Sequence, residues 1–159
     1  LVGSKATSMG GKVADLALNT VLIAGAANLA NLLDLRPGRA LKATVLVAAP
    51  LSYFSCADAK TPASPASAQR LLASGLNAAA ITALVEDLQE TTMLGDTGAN
   101  AAGALLGTSL AANDSWKLRL GTTLGVVGLI LASEKVSFSK VIAANPALNW
   151  LDQLWRRPL

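Results

Sequence analysis

The sequence predicts an all-α fold: a polytopic transmembrane helix bundle of about five helices, followed by an amphipathic tail on the cytoplasmic side. Of the 159 residues, 52% are hydrophobic and 14% are charged, whereas a soluble domain usually carries about 25% charged residues. The mean hydropathy is +0.47, and aromatic residues make up only 4%. The apolar mass is therefore Ala, Leu, Val and Gly, and small residues of this kind let helices approach closely in lipid. A soluble bundle rich in alanine is the alternative.

Five apolar stretches carry this prediction, at residues 13–33, 41–54, 71–85, 99–112 and 118–132. A membrane-crossing helix needs about 20 mostly apolar residues, a length that only the first stretch reaches without its polar flanks. Buried helices of a soluble protein therefore remain an alternative for the others. Two pairs of glycines four residues apart, Gly103 with Gly107 and Gly121 with Gly125, are typical of close helix contacts in lipid.

The connecting segments complete the domain organisation. Residues 58–69 are rich in Pro, Ser and Ala and predict an exposed loop. Residues 133–159 predict a cytoplasmic or interfacial tail, in which Pro146 breaks any single helix. Its Trp150, Trp155, Arg156 and Arg157 suit a membrane interface, although a tail folded onto its own bundle fits equally well. The chain begins at Leu1 without a secretory signal, so we expect residues 1–159 to be one membrane domain that begins partway through a longer protein.

Charge and residue usage exclude several classes of function. The net charge of +3 is small, and the basic residues lack the patch with interleaved aromatics of a nucleic-acid binder, so we expect no nucleic-acid partner. The chain has no histidine, which removes the usual general base and the commonest zinc ligand. The single cysteine, Cys56, cannot form an internal disulfide. Chemistry must therefore use carboxylates, amides, hydroxyls, lysines or a hard metal ion.

A first polar cluster closes the first apolar stretch and contains Asn28, Asn31 and Asp34. Steps of three residues place these side chains on one helix face, within an arc of about 120°. Polar groups on a membrane helix are costly unless they face a polar cavity, where they can coordinate a hard cation or hydrogen-bond phosphate and ribose. The alternative is a helix end at the water boundary.

A second cluster, at residues 93–100, precedes the fourth apolar stretch. Gly95 and Gly98 flank Asp96 closely and allow a ligand to approach the main chain. Asp96 then lies near a helix N-terminus, where free N–H groups favour anions. A carboxylate there is a candidate Mg²⁺ ligand shared with substrate phosphates, and a simple helix cap is the alternative.

The two clusters together resemble a known family. Residues 28–34, NLANLLD, resemble the N-x-x-N-L-x-D motif of polyprenyl-phosphate N-acetylhexosamine-1-phosphate transferases, and residues 93–98, MLGDTG, resemble their M-G-D-x-G-S motif. Phospho-N-acetylmuramoyl-pentapeptide transferase and the UDP-GlcNAc:undecaprenyl-phosphate GlcNAc-1-phosphate transferases belong to this superfamily. The motifs occur in the family's order with one helical hairpin between them. The resemblance therefore implies that residues 1–159 are the C-terminal half of a longer transferase.

The resemblance implies a membrane glycosyl-1-phosphate transferase of bacterial cell-envelope synthesis. Such an enzyme joins the sugar phosphate of a UDP-sugar to polyprenyl phosphate, releases UMP and uses Mg²⁺. It lies in the bacterial plasma membrane as a multi-pass protein, its site faces the cytoplasm, and a homodimer is one arrangement that it allows. By motif, Asp34 and Asp96 would be catalytic-site carboxylates, with Asp96 a metal ligand. The predicted substrate-binding residues are Asn28, Asn31, Gly95 and Gly98.

The last expectations concern the orientation of the bundle in the membrane and the positions at which the sequence departs from the family's motifs. The positive-inside rule gives seven basic residues against six for the two ends of the bundle, so the cytoplasmic placement of the Arg36 loop depends mainly on the motifs. Pro37 stands where the family has a second aspartate, Ala99 replaces the serine, and the family's histidine loop is absent. These losses indicate altered substrate choice or lost activity. An inactive scaffold that binds lipid or nucleotide-sugar, and a transporter-like bundle with chance motifs, are therefore the competing interpretations.

Overall fold

The computed structural model describes residues 6–54 and 64–156, and the described chain is all-helical, with 82% of these residues in seven helices and none in strands. The helices are α1 (Met9–Leu33), α2 (Arg39–Phe54), α3 (Pro65–Leu88), α4 (Gly95–Ala111), α5 (Trp116–Lys135), α6 (Phe138–Ala144) and α7 (Pro146–Gln153). The first five coincide with the five predicted apolar stretches, each extended at one or both ends.

Serine caps explain where three of the long helices begin. The hydroxyl oxygens of Ser8, Ser64 and Ser115 accept a hydrogen bond from the backbone N–H three residues later, which satisfies an otherwise free donor of the first turn. At Ser64 the following Pro65 also favours a helix start, because proline has no N–H to lose there. The predicted loop over residues 58–69 is therefore wrong from Pro65 onward, and its earlier part, 58–63, lies outside the described residues.

The five long helices run alternately up and down. Gly38 before α2 hydrogen-bonds Asp87 at the end of α3, and Ser109 near the end of α4 hydrogen-bonds Gln69 near the start of α3. In space the helices follow the order α2, α3, α4, α1 and α5, since α1 packs mainly against α4 and α5. The ends of α1 and α3 thus lie with the starts of α2 and α4, at what we call the Asp34 end.

One of the two predicted glycine contacts is present within the described chain. A Cβ at Gly103 would overlap the Ala26 carbonyl oxygen of α1 and lie 2.6 Å from the Ala27 Cα atom, and a Cβ at Gly107 would lie 2.8 Å from the Ile23 Cα atom. Glycine is required there because α1 and α4 touch backbone to backbone. The prediction for Gly121 and Gly125 is wrong within residues 6–54 and 64–156, since none of their atoms lies within 4 Å of a Cβ at either position.

Most of the buried apolar side chains are small, and many of the large ones lie on the surface. Among the described residues, the buried hydrophobic ones are nine alanines and four leucines, whereas Met9, Leu71, Leu118 and Leu124 are each more than half exposed. Two helices, α1 and α3, are long and apolar enough to cross a membrane. With 16 and 17 residues, α2 and α4 fall short of the ~20 that a span requires. The predicted number of five crossings is therefore not established.

The tail folds back onto the start of α2. Proline at position 146 separates α6 from α7, as predicted. The Arg39 guanidinium donates two hydrogen bonds to Asp152, at 2.7 and 3.0 Å. The Lys42 ammonium donates to the carbonyl oxygens of residues 151, 152 and 154, at 3.1, 2.9 and 2.6 Å, which satisfies the free carbonyls at the end of α7. Trp150 and Trp155 stay 65% and 73% exposed, so the tail contacts the bundle on one side and leaves both rings uncovered.

Candidate functional site

A cavity of about 310 Å³ opens at the Asp34 end of the bundle. It lies between the connection from α1 to α2 and the connection from α3 to α4. The first connection follows α1 directly and contains Asp34, and the second leads into α4 and Asp96. The residues that line the cavity are Asp34, Leu35, Arg36, Pro37, Asp87, Glu90, Thr92, Met93 and Leu94.

Asp34 is half-buried at the C-terminal cap of α1. The Gly95 backbone N–H near its carboxylate favours the charged form. Burial outweighs this effect, and the nearby charges of Asp87 and Asp96 add to that of burial, so the pKa of Asp34 is raised above its ordinary value. The two motif aspartates, 62 residues apart in sequence, are thus brought together at one end of the bundle.

Asp96 lies in the first turn of α4, as predicted, and is exposed. It does not cap the helix, because Leu94 occupies the cap position and makes no side-chain capping bond. The alternative interpretation of Asp96 as a simple cap is therefore wrong. Gly95 has a φ of +65°, a left-handed conformation that glycine adopts without steric cost. A Cβ at Gly98 would contact the Leu94 side chain, so this glycine leaves room for the turn that precedes the helix.

The two asparagines lie outside the residues that line the cavity. Asn28 is exposed on α1, one turn and more before Asp34. Asn31 is partly buried, and its amide oxygen is buried without a hydrogen-bond partner among the described residues. Buried acceptors are satisfied in most proteins, so this oxygen is available to a donor that the described chain does not supply.

Asp87 is a site residue that the sequence reasoning missed. It is buried at the end of α3, and its two carboxylate oxygens accept hydrogen bonds from the Gly38 N–H at 2.7 Å and the Leu94 N–H at 3.2 Å. The sequence contained one indication: a carboxylate in the last turn of an apolar helix is disfavoured by the helix dipole. Such a residue needs compensating donors, and here the two connections provide them.

Arg36 and Glu90 complete the charged lining of the cavity. Arg36 is exposed, and its guanidinium is the cavity's cation. Glu90 follows α3 with a φ of +57°, in the left-handed region that is unfavourable for a residue with a side chain. The cavity thus presents carboxylates on two sides and one guanidinium that can meet a phosphate.

The carboxylates suit a hard divalent cation better than zinc. Within residues 6–54 and 64–156, no group of three or more His, Cys, Asp or Glu side chains is arranged around one point. Magnesium needs only one or two carboxylates, because substrate phosphates and water supply its other ligands. Of the two motif aspartates, Asp34 lines the cavity and Asp96 does not. The charge of Asp96 nevertheless acts on Asp34, and a bound cation would relieve the like charges that contribute to its raised pKa.

Comparison with known proteins gives no assignment. No protein-family model matches the chain, and no curated protein or solved structure matches it significantly.

Proposed function

We propose that this chain forms part of a Mg²⁺-dependent membrane transferase that moves a sugar phosphate from a UDP-sugar to polyprenyl phosphate in bacterial cell-envelope synthesis. The observation that carries the proposal is that both motif segments line one cavity, through Asp34 of the first and Met93 and Leu94 of the second. The chance-motif interpretation expects these segments to be far apart. Their common position at a 310 Å³ cavity supports the interpretation of both as one site.

The described residues offer a specific division of labour. In the reaction, an oxygen of the lipid phosphate bonds to the β-phosphorus of the UDP-sugar, the bond between that phosphorus and UMP breaks, and UMP leaves. Asp96 and Asp34 would hold a Mg²⁺ ion, which would neutralise charge on the diphosphate. Arg36 would bind a phosphate oxygen from the cavity wall, and the free N–H groups at the start of α4 would face the same anion.

An apolar groove suits the lipid acceptor. It measures about 310 Å³ and lies between α2 and α5, with α1 and α4 as its floor. Ala26, Leu29, Val47, Leu106 and Leu129 are among the residues that line it. Near Leu33 it meets a second apolar pocket of about 190 Å³ that reaches Arg39 and Lys42. A hydrocarbon chain in this groove would bring its phosphate toward the Asp34 end.

The placement of aromatic residues supports a bundle that crosses the bilayer with all five long helices. Trp150 and Trp155 are exposed at the Asp34 end, whereas Tyr53 and Trp116 are exposed at the opposite end. Such rings collect at the two membrane–water interfaces. The 20 residues of α5 span about 30 Å, the thickness of the hydrocarbon core. We place the Asp34 end in the cytoplasm, where UDP-sugars are found.

An inactive lipid- or nucleotide-sugar-binding scaffold is the second candidate. Pro37 occupies the position of the family's second aspartate and lines the cavity, so one expected carboxylate is replaced by an inert ring. The chain also has no histidine. A scaffold would keep the bundle and the groove and would need neither group.

Release of UMP from UDP-GlcNAc and related donors, with undecaprenyl phosphate and Mg²⁺, tests the proposal in the full-length protein. Asp96→Asn should lower turnover ~10²-fold or more, because a charge-stabilising group of the site is lost. Glu86→Gln is the control, since Glu86 is exposed and does not line the cavity, and it should leave turnover unchanged. A wild-type protein that binds lipid but releases no UMP with any donor would favour the scaffold.

A further inference from the structure

One buried side chain connects both segments that form the cavity. We call residues 34–38 the Asp34 segment and residues 89–95 the Asp96 segment. Asp87 Oδ2 accepts from the Gly38 N–H of the first segment at 2.7 Å, and Asp87 Oδ1 accepts from the Leu94 N–H of the second at 3.2 Å. Each carboxylate oxygen therefore holds one segment.

The geometry of both segments makes such a connection necessary. Gly38 has a φ of +74° and Gly95 a φ of +65°, so each segment contains a left-handed turn that helical hydrogen bonds do not fix. A Cβ at Gly38 would lie 3.1 Å from Leu88 Cγ, which shows how closely the Asp34 segment lies on the end of α3. Asp87 and Leu88 are 5% and 7% exposed, so the end of α3 is a packed platform.

A carboxylate is the only common side chain of this length that can accept the hydrogen bonds of both backbone N–H groups. Asparagine has one acceptor oxygen and would leave one buried N–H facing an amide NH₂ group. The negative charge of Asp87 is electrostatically unfavourable beside Asp34. Its presence is explained by the two backbone donors, since charge-assisted hydrogen bonds are stronger than neutral ones.

We propose that Asp87 is a positioning residue that holds the Asp34 and Asp96 segments at a fixed separation, so that the two motif carboxylates meet one substrate diphosphate. The proposal rests on the proposed function for its catalytic consequence. Its structural consequence, a fixed distance between the two segments, is independent of that function.

The distance is measured with nitroxide labels on Leu35→Cys and Met93→Cys in a Cys56→Ser background of the full-length protein, by the dipolar broadening of its electron paramagnetic resonance spectrum. Both label positions are exposed, at 67% and 84%. We expect a narrow distance distribution that Asp87→Ala broadens and lengthens and Asp87→Asn broadens less. Glu134→Ala, a change at an exposed acid of the same end that lies outside both segments, should leave it unchanged. An unaltered distribution in Asp87→Ala overturns the proposal.

Steady-state release of UMP separates positioning from simple destabilisation. Asp87→Ala should lower kcat ~10²-fold, the effect of misplacing reacting groups by about 1 Å, with KM for the UDP-sugar changed less than about threefold. The isosteric Asp87→Asn, which keeps one of the two hydrogen bonds, should give a kcat and an unfolding temperature that both lie between those of the wild type and Asp87→Ala. Wild-type kcat in Asp87→Ala overturns the catalytic role. Absence of UMP release from the wild type overturns the proposed function instead, and the label distances still decide whether Asp87 fixes the segments.

Discussion

Arg39 and Asp152, 113 residues apart in sequence, form a bidentate ion pair with N–O distances of 2.7 and 3.0 Å. The Arg39 and Asp152 side chains are 5% and 3% exposed, and Arg39 also donates to the Ser139 hydroxyl at 2.9 Å. Arg39 directly follows Gly38, which Asp87 holds from the other side. The tail and the end of α3 therefore fix neighbouring residues of the connection that contains Asp34.

Loss of the Asp152 carboxylate should release the tail. Asp152→Ala leaves the Arg39 guanidinium buried without its partner, and breaking a buried pair in this way costs ~3 kcal/mol. We expect a correspondingly lower free energy of unfolding in detergent micelles and faster proteolysis between α5 and α7. Glu134→Gln, at an exposed acid of the same end, is the control and should change neither. If Asp152→Ala unfolds like the wild type, the pair contributes nothing to the fold.

The two glycine pairs should respond oppositely to alanine. Gly103→Ala should strongly destabilise the bundle, because its Cβ would meet the backbone of α1, which cannot move as a flexible side chain could. Gly121→Ala should stabilise the protein by about 0.5–1 kcal/mol, since alanine is the better helix former and the added methyl meets no atom of the described chain. Thermal unfolding of the two variants side by side checks this. Destabilisation by Gly121→Ala would instead show that another molecule packs against that face.

Glu90 should be replaceable by glycine with a gain in stability. Its φ of +57° lies directly after α3, at a position where helices commonly end in a left-handed glycine. Relief of that strain is worth ~1 kcal/mol, so Glu90→Gly should raise the unfolding temperature. Glu86→Gly, four residues earlier inside the helix, should lower it by a similar amount. If both variants change the unfolding temperature in the same direction, the interpretation of Glu90 as a strained left-handed residue is contradicted.

The sequence predicted the elements well and the connections between them poorly. Long apolar stretches and the two motifs are local patterns, and they predicted five helices and the pair Asp34 and Asp96. Asp87 was missed because its partners, Gly38 and Leu94, are backbone donors that no side-chain pattern marks. The sequence also did not predict the burial of Arg119. This residue is 1% exposed and donates hydrogen bonds to Asp15 at 3.0 Å and Asn19 at 2.9 Å. Its burial depends on α5 lying against α1, which only the assembled fold determines.

Asp34→Asn should make the protein more stable at neutral pH and less active. Burial, with the charges of Asp87 and Asp96, raises the folded-state pKa of Asp34 above its ordinary value of 3.8. The folded state then binds the proton more tightly than the unfolded state, so the wild-type free energy of unfolding falls as pH rises from 3.8 through the raised pKa. Asparagine cannot ionise, and Asp34→Asn should therefore unfold at a higher temperature than wild type at neutral pH. The difference should vanish below about pH 3.8.

The turnover of Asp34→Asn should fall, although its unfolding temperature at neutral pH should rise. We expect Asp34→Asn to lower UMP release ~10²-fold, because the variant lacks a charge that the substrate complex needs. Mg²⁺ should also raise the unfolding temperature of the wild type more than that of the variant, since a ligand stabilises the state that binds it. Glu134→Gln should alter none of these quantities. A lower unfolding temperature for Asp34→Asn at neutral pH would contradict the electrostatic account, and full turnover in the variant would remove Asp34 from the site.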